Sequence, residues 1–390
     1  MKYLILRLKR FCGFLAGFVF FIAGIFKLLD PVGAGLVMKE YLDFLHLGFL
    51  SGIAKIAAVV LAFAETVIGT ALVTGIWRKA TAFASLIFQS FFTILTLFLV
   101  IFNPEMDCGC FGEAIHLSHL ETFIKNLILL ALLLAFAFPF RYLGGPKRHK
   151  YASFAIVTVS VLAFTVYSWM YIPLVDYTAF KPAAALQAGS AFGLQDEDRY
   201  EAVFVYEKDG VTEEFTLGHL PDSTWTFVDT RTTLKEGYED VSVSLSFYDR
   251  DGNYQDTLAV SGKVLVISLY DATIRPNTWK KIENFAQMAG SVGFRTMILA
   301  SELPAGLLLE NAYICDYKTL VSLNRSNGGV TYFSDGYLIR KWSARTRPDR
   351  PQLQEIFDGD DTEVIIDSDS KGRLAFQGFL LYVFAVMLLL

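Results

Sequence analysis

The sequence predicts an α-helical transmembrane bundle joined to an α/β soluble domain, and three observations predict it. Hydrophobic residues make up 54% and charged residues 19% of the 390 positions, against roughly 45–50% and about 25% in soluble chains. The apolar residues gather in stretches of about 20, the length that crosses a bilayer core. Charge divides along the chain. Residues 1–175 hold 14 Lys/Arg and 8 Asp/Glu, a net of +6, so the total of −5 leaves −11 on residues 176–390. A basic apolar half followed by an acidic polar half reads as a membrane part and a solvated part. The lipid bilayer is therefore an expected partner. Nucleic acid is not, because the acidic half would repel phosphates.

Five stretches have spanning length: 11–29, 52–74, 80–102, 119–140 and 151–172. A sixth, 374–390, is 17 residues long, at the short limit. The first stretch contains Lys27 and has no small-residue cleavage site before Asp30-Pro31, so it reads as a retained span rather than a signal peptide. Asn103-Pro104 should end the third span, since proline disfavours helix in the residue before it. Ser118 with Glu121 is a capping box that should open the fourth.

Loop charge assigns sides. Lys2, Arg7, Lys9 and Arg10 precede span one, Arg78 and Lys79 join spans two and three, and Arg141, Lys147, Arg148 and Lys150 join four and five. The alternate loops, 31–50 and 103–118, hold a single basic residue, Lys39. This places the N-terminus in the cytoplasm. The 103–118 loop and the soluble domain are expected outside an inner (cytoplasmic) membrane, a side that in a Gram-negative cell is the periplasm. Lys371 and Arg373, just outside the last span, go against the rule.

That outer loop carries Asp107-Cys108-Gly109-Cys110. Two thiols one residue apart can close a small disulfide ring if the backbone turns, and Gly109 permits the turn. Such a ring is strained and easily reduced, and an oxidising compartment keeps it available as an oxidant. Three readings are open: a redox-active pair, a structural staple, and a soft-metal site formed with His116 and His119, whose spacing is not a standard zinc pattern. Cys12 lies a full span away and reads as an apolar filler.

Polar residues inside the spans need partners in lipid. Lys27 and Asp30 lie near the outer end of span one, Glu65 in the middle of span two and Gln89 in span three. Glu65 could pair with Lys27, carry a proton or face a ligand.

Phe20-Phe-Ile-Ala-Gly-Ile-Phe-Lys-Leu-Leu-Asp-Pro31, Ala64-Glu65-x3-Gly69-x2-Leu72-x2-Gly75 and Asp107-Cys-Gly-Cys-Phe-Gly112 together resemble the DoxX/MauE superfamily of four-helix membrane proteins, of the methylamine utilisation MauE type. The resemblance covers roughly residues 11–140. It implies a maturation role for a disulfide-rich periplasmic protein through disulfide formation, carried here by Cys108 and Cys110 alone. Methylamine chemistry does not follow, and the appended domain departs from the short family pattern.

Residues 176–240 read as a small β-rich region, with a hairpin signal at Lys208-Asp-Gly-Val between Ala202–Glu207 and Thr212–Leu217. From 241 to 350 the order is β, β, α, β, short helix, β, β. Val243–Tyr248 is followed by the apolar run Lys263–Leu269, then by a helix with Trp279, Ile282, Phe285, Ala286 and Ala289 on one face, capped at Gly290. Phe294–Leu299 and the hairpin Gly329–Phe333/Tyr337–Trp342 complete it. Tyr248-Asp-Arg-Asp-Gly252, Gly262-Lys-Val-Leu-Val-Ile and Arg325-Ser-Asn-Gly-Gly-Val330 resemble a thioredoxin-like domain of the thiol-reductase or peroxiredoxin type. Where that family has C-x-x-C, this chain reads Asp271-Ala-Thr-Ile-Arg-Pro-Asn-Thr-Trp279, without cysteine, and the cis-proline position near Asn327-Gly328 is replaced. A dithiol reaction within this domain is excluded, leaving a client-binding role. Cys315, in the apolar strand Tyr313-Ile-Cys-Asp, reads as core.

The expected organisation is a DoxX/MauE-like domain (1–145), a fifth span (146–175), the β-rich region (176–240), the degenerate thioredoxin-like domain (241–350), a linker (351–373) and a sixth span (374–390). The expected function is thiol–disulfide exchange on extracytoplasmic client proteins. Cys108 and Cys110 would be the reacting residues, supported by Gly109, Asp107, Glu65 and Lys27. No motif names a cofactor or an electron acceptor. The alternative is a non-enzymatic, envelope-anchored binding or assembly protein with a structural disulfide.

Overall fold

A computed structural model describes residues 2–104, 106–139, 148–187, 200–208, 211–216, 220–222, 224–234, 242–271, 276–303 and 311–389. Arg141 and Lys147, the turn residues Asp209 and Gly210, and Ala272–Arg275 lie outside the described residues.

Among the described residues, six helical stretches are long and apolar enough to cross a membrane: Leu6–Leu29, Gly48–Thr74, Arg78–Phe102, His119–Ala137, His149–Met170 and Asp361–Leu389. They account for all six expected spans, and the chain is a multi-pass membrane protein. The helices are α1 (Lys2–Leu29), α3 (Ala54–Thr74), α4 (Arg78–Phe102), α5 (His119–Ala137), α6 (His149–Met170) and α10 (Asp361–Leu389), with α2 (Pro31–Phe44) between the first two spans. α1 packs most extensively on α3, because small residues let the backbones meet. A Cβ on Gly69 would stand 2.5 Å from the Phe21 nitrogen and 2.7 Å from the Gly17 carbonyl oxygen.

Two lysines mark one end of the bundle. Lys9 Nζ donates to the Pro139 carbonyl at 3.0 Å, and Lys150 Nζ to the Met387 carbonyl at 3.2 Å. The start of α1 therefore meets the end of α5, and the start of α6 meets the end of α10. Trp77, between α3 and α4, packs edge-on against Tyr151 and Phe154 of α6 at the same end.

Two stretches differ from expectation. Residues 31–50, read as a loop, contain α2: the Asp30 side chain accepts from the Gly33 N–H and Pro31 sits at the first turn, a start signal that the end of span one obscured. Residues 351–373, read as a linker, are helical. Asp349 and Gln352 form a capping box that opens α9 (Arg350–Asp358), and α10 begins at Asp361 and runs into the sixth span without a break.

The rest of the chain is mixed α/β. A curled eight-stranded sheet has the order β6-β2-β12-β11-β8-β9-β10-β7. Its strands are β2 (Ala185–Gln187), β6 (Ser242–Ser244), β7 (Phe247–Tyr248), β8 (Lys263–Leu269), β9 (Arg295–Ala300), β10 (Ala312–Cys315), β11 (Gly329–Ser334) and β12 (Tyr337–Trp342). β8 and β9 are parallel, β9 and β10 are parallel, and β11 runs antiparallel to both β8 and β12. α7 (Pro276–Val292) crosses from β8 to β9 and buries Ile282, Phe285, Ala286 and Ala289, the face its periodicity predicts. It ends at Gly293, with φ +122°, rather than at Gly290. α8 (Tyr317–Leu323) is the short helix after β10. Cys315 packs in the second core layer with Phe247, Leu299 and Leu320, and burial pushes its thiol up to about 12. The hairpin expected after residue 200 is present as β3 (Tyr200–Lys208) paired with β4 (Val211–Thr216). β5 (Thr226–Leu234) completes a separate three-stranded sheet, β4-β3-β5.

Candidate functional site

The cysteine loop is fixed at both ends. α4 stops at Asn103, left-handed at φ 40°, before Pro104, and the Ser118–Glu121 capping box opens α5. His119 ties the ends together, with Nδ1 3.2 Å from Asn103 Oδ1 and Nε2 3.0 Å from the Met106 carbonyl. Both ring nitrogens are thereby engaged. The described residues bring no three His, Cys, Asp or Glu side chains together that could hold a metal.

Inside this frame Gly109 has φ +58°, and a Cβ there would stand 2.5 Å from Val37 Cγ1. The turn therefore needs glycine for its conformation and for the close approach of α2. Cys108 and Cys110 are free thiols in this structure. Cys108 is buried under α2, and its carbonyl accepts from Tyr41 Oη at 2.9 Å. Burial pushes the Cys108 thiol up from its ordinary value, and the Thr122 hydroxyl and the Lys125 ammonium pull against that. The buried Thr122 hydroxyl makes no hydrogen bond of regular geometry. Cys110 opens the short strand β1 (Cys110–Glu113) and is half-buried.

Cys110 borders a cavity of about 20 Å³ in the bundle, also lined by Lys27, Glu65, Gln89, Lys125 and Asn126. That is room for about one water and not for a small-molecule substrate. Lys27 Nζ meets Glu65 Oε2 at 2.6 Å, so the pairing open to Glu65 in the sequence is made. Gln89 donates to the Asn126 carbonyl at 3.1 Å, and Asn126 to Thr96 Oγ1 at 3.2 Å. Asp107 is not brought to the cavity. Its side chain is 66% exposed and lies 3.6 Å from His116.

Several residues at the site were not expected. Lys125 and Asn126 interrupt the apolar run of span four, a signal present in the sequence. Arg325 carried none. It follows α8 in the α/β domain, its side chain is 3% exposed, and it bonds to Asp30 at 2.7 Å and Glu113 at 2.8 Å. Burial works against the guanidinium, but the two carboxylates more than offset it and hold it above its ordinary value. α8 also reaches α2, with Lys318 2.9 Å from Glu40 and Lys39 over the Tyr317 ring at 5.6 Å. The appended α/β domain is thus seated on α2 and on the strand that contains Cys110.

The fold and this loop define a multi-pass membrane protein with a polar, cysteine-edged cavity under an appended α/β domain. Residues 2–139 match the family described as methylamine utilisation protein MauE, and this segment is a MauE-family membrane domain. Residues 200–237, the three-stranded sheet, match a domain of unknown function, DUF8463. Neither the curated proteins nor the solved structures contain a match to this chain.

Proposed function

We propose that this is a membrane thiol–disulfide redox protein that acts on extracytoplasmic client proteins through Cys108 and Cys110. The supporting observation is the placement of Cys110: partly exposed, one residue from a second thiol, at the edge of a polar cavity and in a loop pinned at both ends. In the oxidised form a client thiolate attacks one sulfur of the Cys108–Cys110 disulfide. A mixed disulfide forms and the other cysteine leaves as thiolate. A second client thiolate then displaces the bound cysteine, so the client gains a disulfide and the pair takes up two electrons and two protons. A two-electron acceptor of the quinone or disulfide class returns the pair to its oxidised form.

The outer domain serves as the client-binding module. Its thioredoxin-like reading is supported by the parallel β8-α7-β9 unit, the β11/β12 hairpin laid against β8 and the helix α9 that follows. Loop charge places the cysteine loop and this domain outside the cytoplasm, where the pair can be kept oxidised.

The test is the reduction potential of the pair, from thiol alkylation across a glutathione series in purified membranes, with Cys108→Ser used to trap mixed disulfides. A value on the order of −120 to −200 mV with trapped partners supports exchange. A value below about −300 mV with no partner trapped marks a structural staple and overturns the proposal in favour of an anchored binding protein.

A further inference from the structure

Cys108 is covered by α2 and Cys110 opens β1, and one side chain from a distant part of the chain bonds to both elements. Cys108 lies under α2, in contact through Tyr41 and beside the Val37–Gly109 approach. α2 begins at Asp30, whose Oδ1 caps Gly33 and whose Oδ2 receives Arg325 Nε. Cys110 begins β1, which ends at Glu113, and Glu113 receives Arg325 Nη2. The remaining Nη1 of Arg325 donates back to Val321 of α8 at 3.2 Å, so the guanidinium is held rigidly in its own domain. A planar fork with all three nitrogens engaged fixes geometry in a way a lysine cannot.

We propose that Arg325 is the positioning residue of the cysteine pair: it latches the outer domain onto α2 and β1, keeps Cys108 covered, and couples occupation of the outer domain to exposure of that thiol. This rests on the redox reading and adds its control. While the latch is closed, a client thiolate reaches Cys110 at most, and Cys108 stays shut beneath α2. A client that loads the outer domain and draws α8 away from α2 removes the Asp30 and Glu113 contacts together and opens Cys108 where the client already sits. Unloaded protein thereby avoids exchange with stray thiols. Beyond the latch itself, α8 and α2 are joined by Lys318–Glu40, a largely exposed pair that contributes little on its own, and by Lys39 over the Tyr317 ring.

The test is cysteine alkylation in the full chain, reduced and reconstituted in lipid vesicles, with each labelled cysteine read by peptide mass spectrometry. Cys315 and Cys12 are internal controls, because they are buried in the outer-domain core and the bundle core. Arg325→Met and, separately, Glu113→Gln should speed labelling of Cys108 by at least tenfold while Cys315 and Cys12 keep their wild-type rates. Arg325→Lys should fall between. If all three buried cysteines speed up together, the substitution has only loosened the fold and the proposal fails. If Cys108 labels at the wild-type rate in both variants, the latch does not cover it and the proposal also fails. The labelling rates do not depend on redox cycling, so loss of the exchange activity by the potential measurement and loss of the latch are separate results.

Discussion

Replacing Lys27 by Met should be among the most damaging single changes in the membrane domain, and adding Glu65→Leu should repair much of it. The side chains are 19% and 12% exposed and meet at 2.6 Å within the spans. Removing one partner leaves the other charged and unpaired in a low-dielectric site, which costs about 3–5 kcal/mol. Since about 1.4 kcal/mol is a factor of ten, the folded-to-unfolded ratio should fall by more than roughly a hundredfold. Replacing both with apolar side chains of similar size removes the orphan charge, and such swaps are often neutral or stabilising. The assay is reversible unfolding in mixed micelles as the denaturing detergent fraction is raised, for both single variants and the double. A Lys27→Met loss below about 1 kcal/mol, or a double variant that loses the sum of the two singles, would refute the reasoning. Thiol exchange by the double variant then separates the two roles left to the pair. Retained exchange makes it structural, and lost exchange in a stable double variant makes it part of the reaction.

Two further perturbations follow from loop geometry. Gly109→Ala places a Cβ at positive φ and against Val37, and should destabilise the domain by about 1–3 kcal/mol; Val37→Ala in the same chain should recover the steric part only, read as a partial return of the melting temperature. In the α/β domain, Asp249 accepts from the Asn253 and Asp251 N–H groups and the Gln255 amide, and these bonds, the Asn253 N–H first, hold its carboxyl below the ordinary aspartate value. A depressed carboxyl contributes stability that is full above its unfolded value, about 3.9, and is lost as pH falls through the lower folded value. Asp249→Asn should therefore lower the melting temperature at neutral pH, change it little at the acid end, and so flatten the acid limb of a stability-versus-pH curve below about pH 4; an unaltered acid limb would show that this turn does not contribute to it.

What the sequence makes legible here is what depends on local composition. A long apolar run has few ways to be satisfied other than a span, so all six membrane-length helices were readable as candidate spans. That Lys27 and Glu65 need partners was readable for the same reason, since lipid leaves charges little choice, and their mutual pair is one of three options the sequence leaves open for Glu65. The ends of the cysteine loop were readable because proline, the capping serine and glycine act within a few residues of themselves. α2 was obscured because its start signal, Asp30-Pro31, coincides with the end of a span. The α9–α10 stretch was obscured because its polar composition resembles a linker until the capping box at Asp349 and Gln352 is weighed. Arg325 lies 295 positions from Asp30, and no local pattern distinguishes it from any other arginine of a soluble domain. The docking of the two halves is a property of tertiary structure, and only coordinates bring it into view.

The α/β domain lies between α6 and α10, which packs against α6 along its apolar length, with Phe164 stacked on Phe379 at 4.6 Å. A module tied at both ends cannot diffuse away when its contacts break. For short tethers, the concentration each half feels from the other is in the millimolar range. A handful of ion pairs, too weak to hold two separate proteins together, can then act as a fast and reversible clasp. The sixth helix thus does more than anchor the C-terminus: it turns docking into an intramolecular equilibrium, set by tether geometry and independent of how much protein the membrane contains.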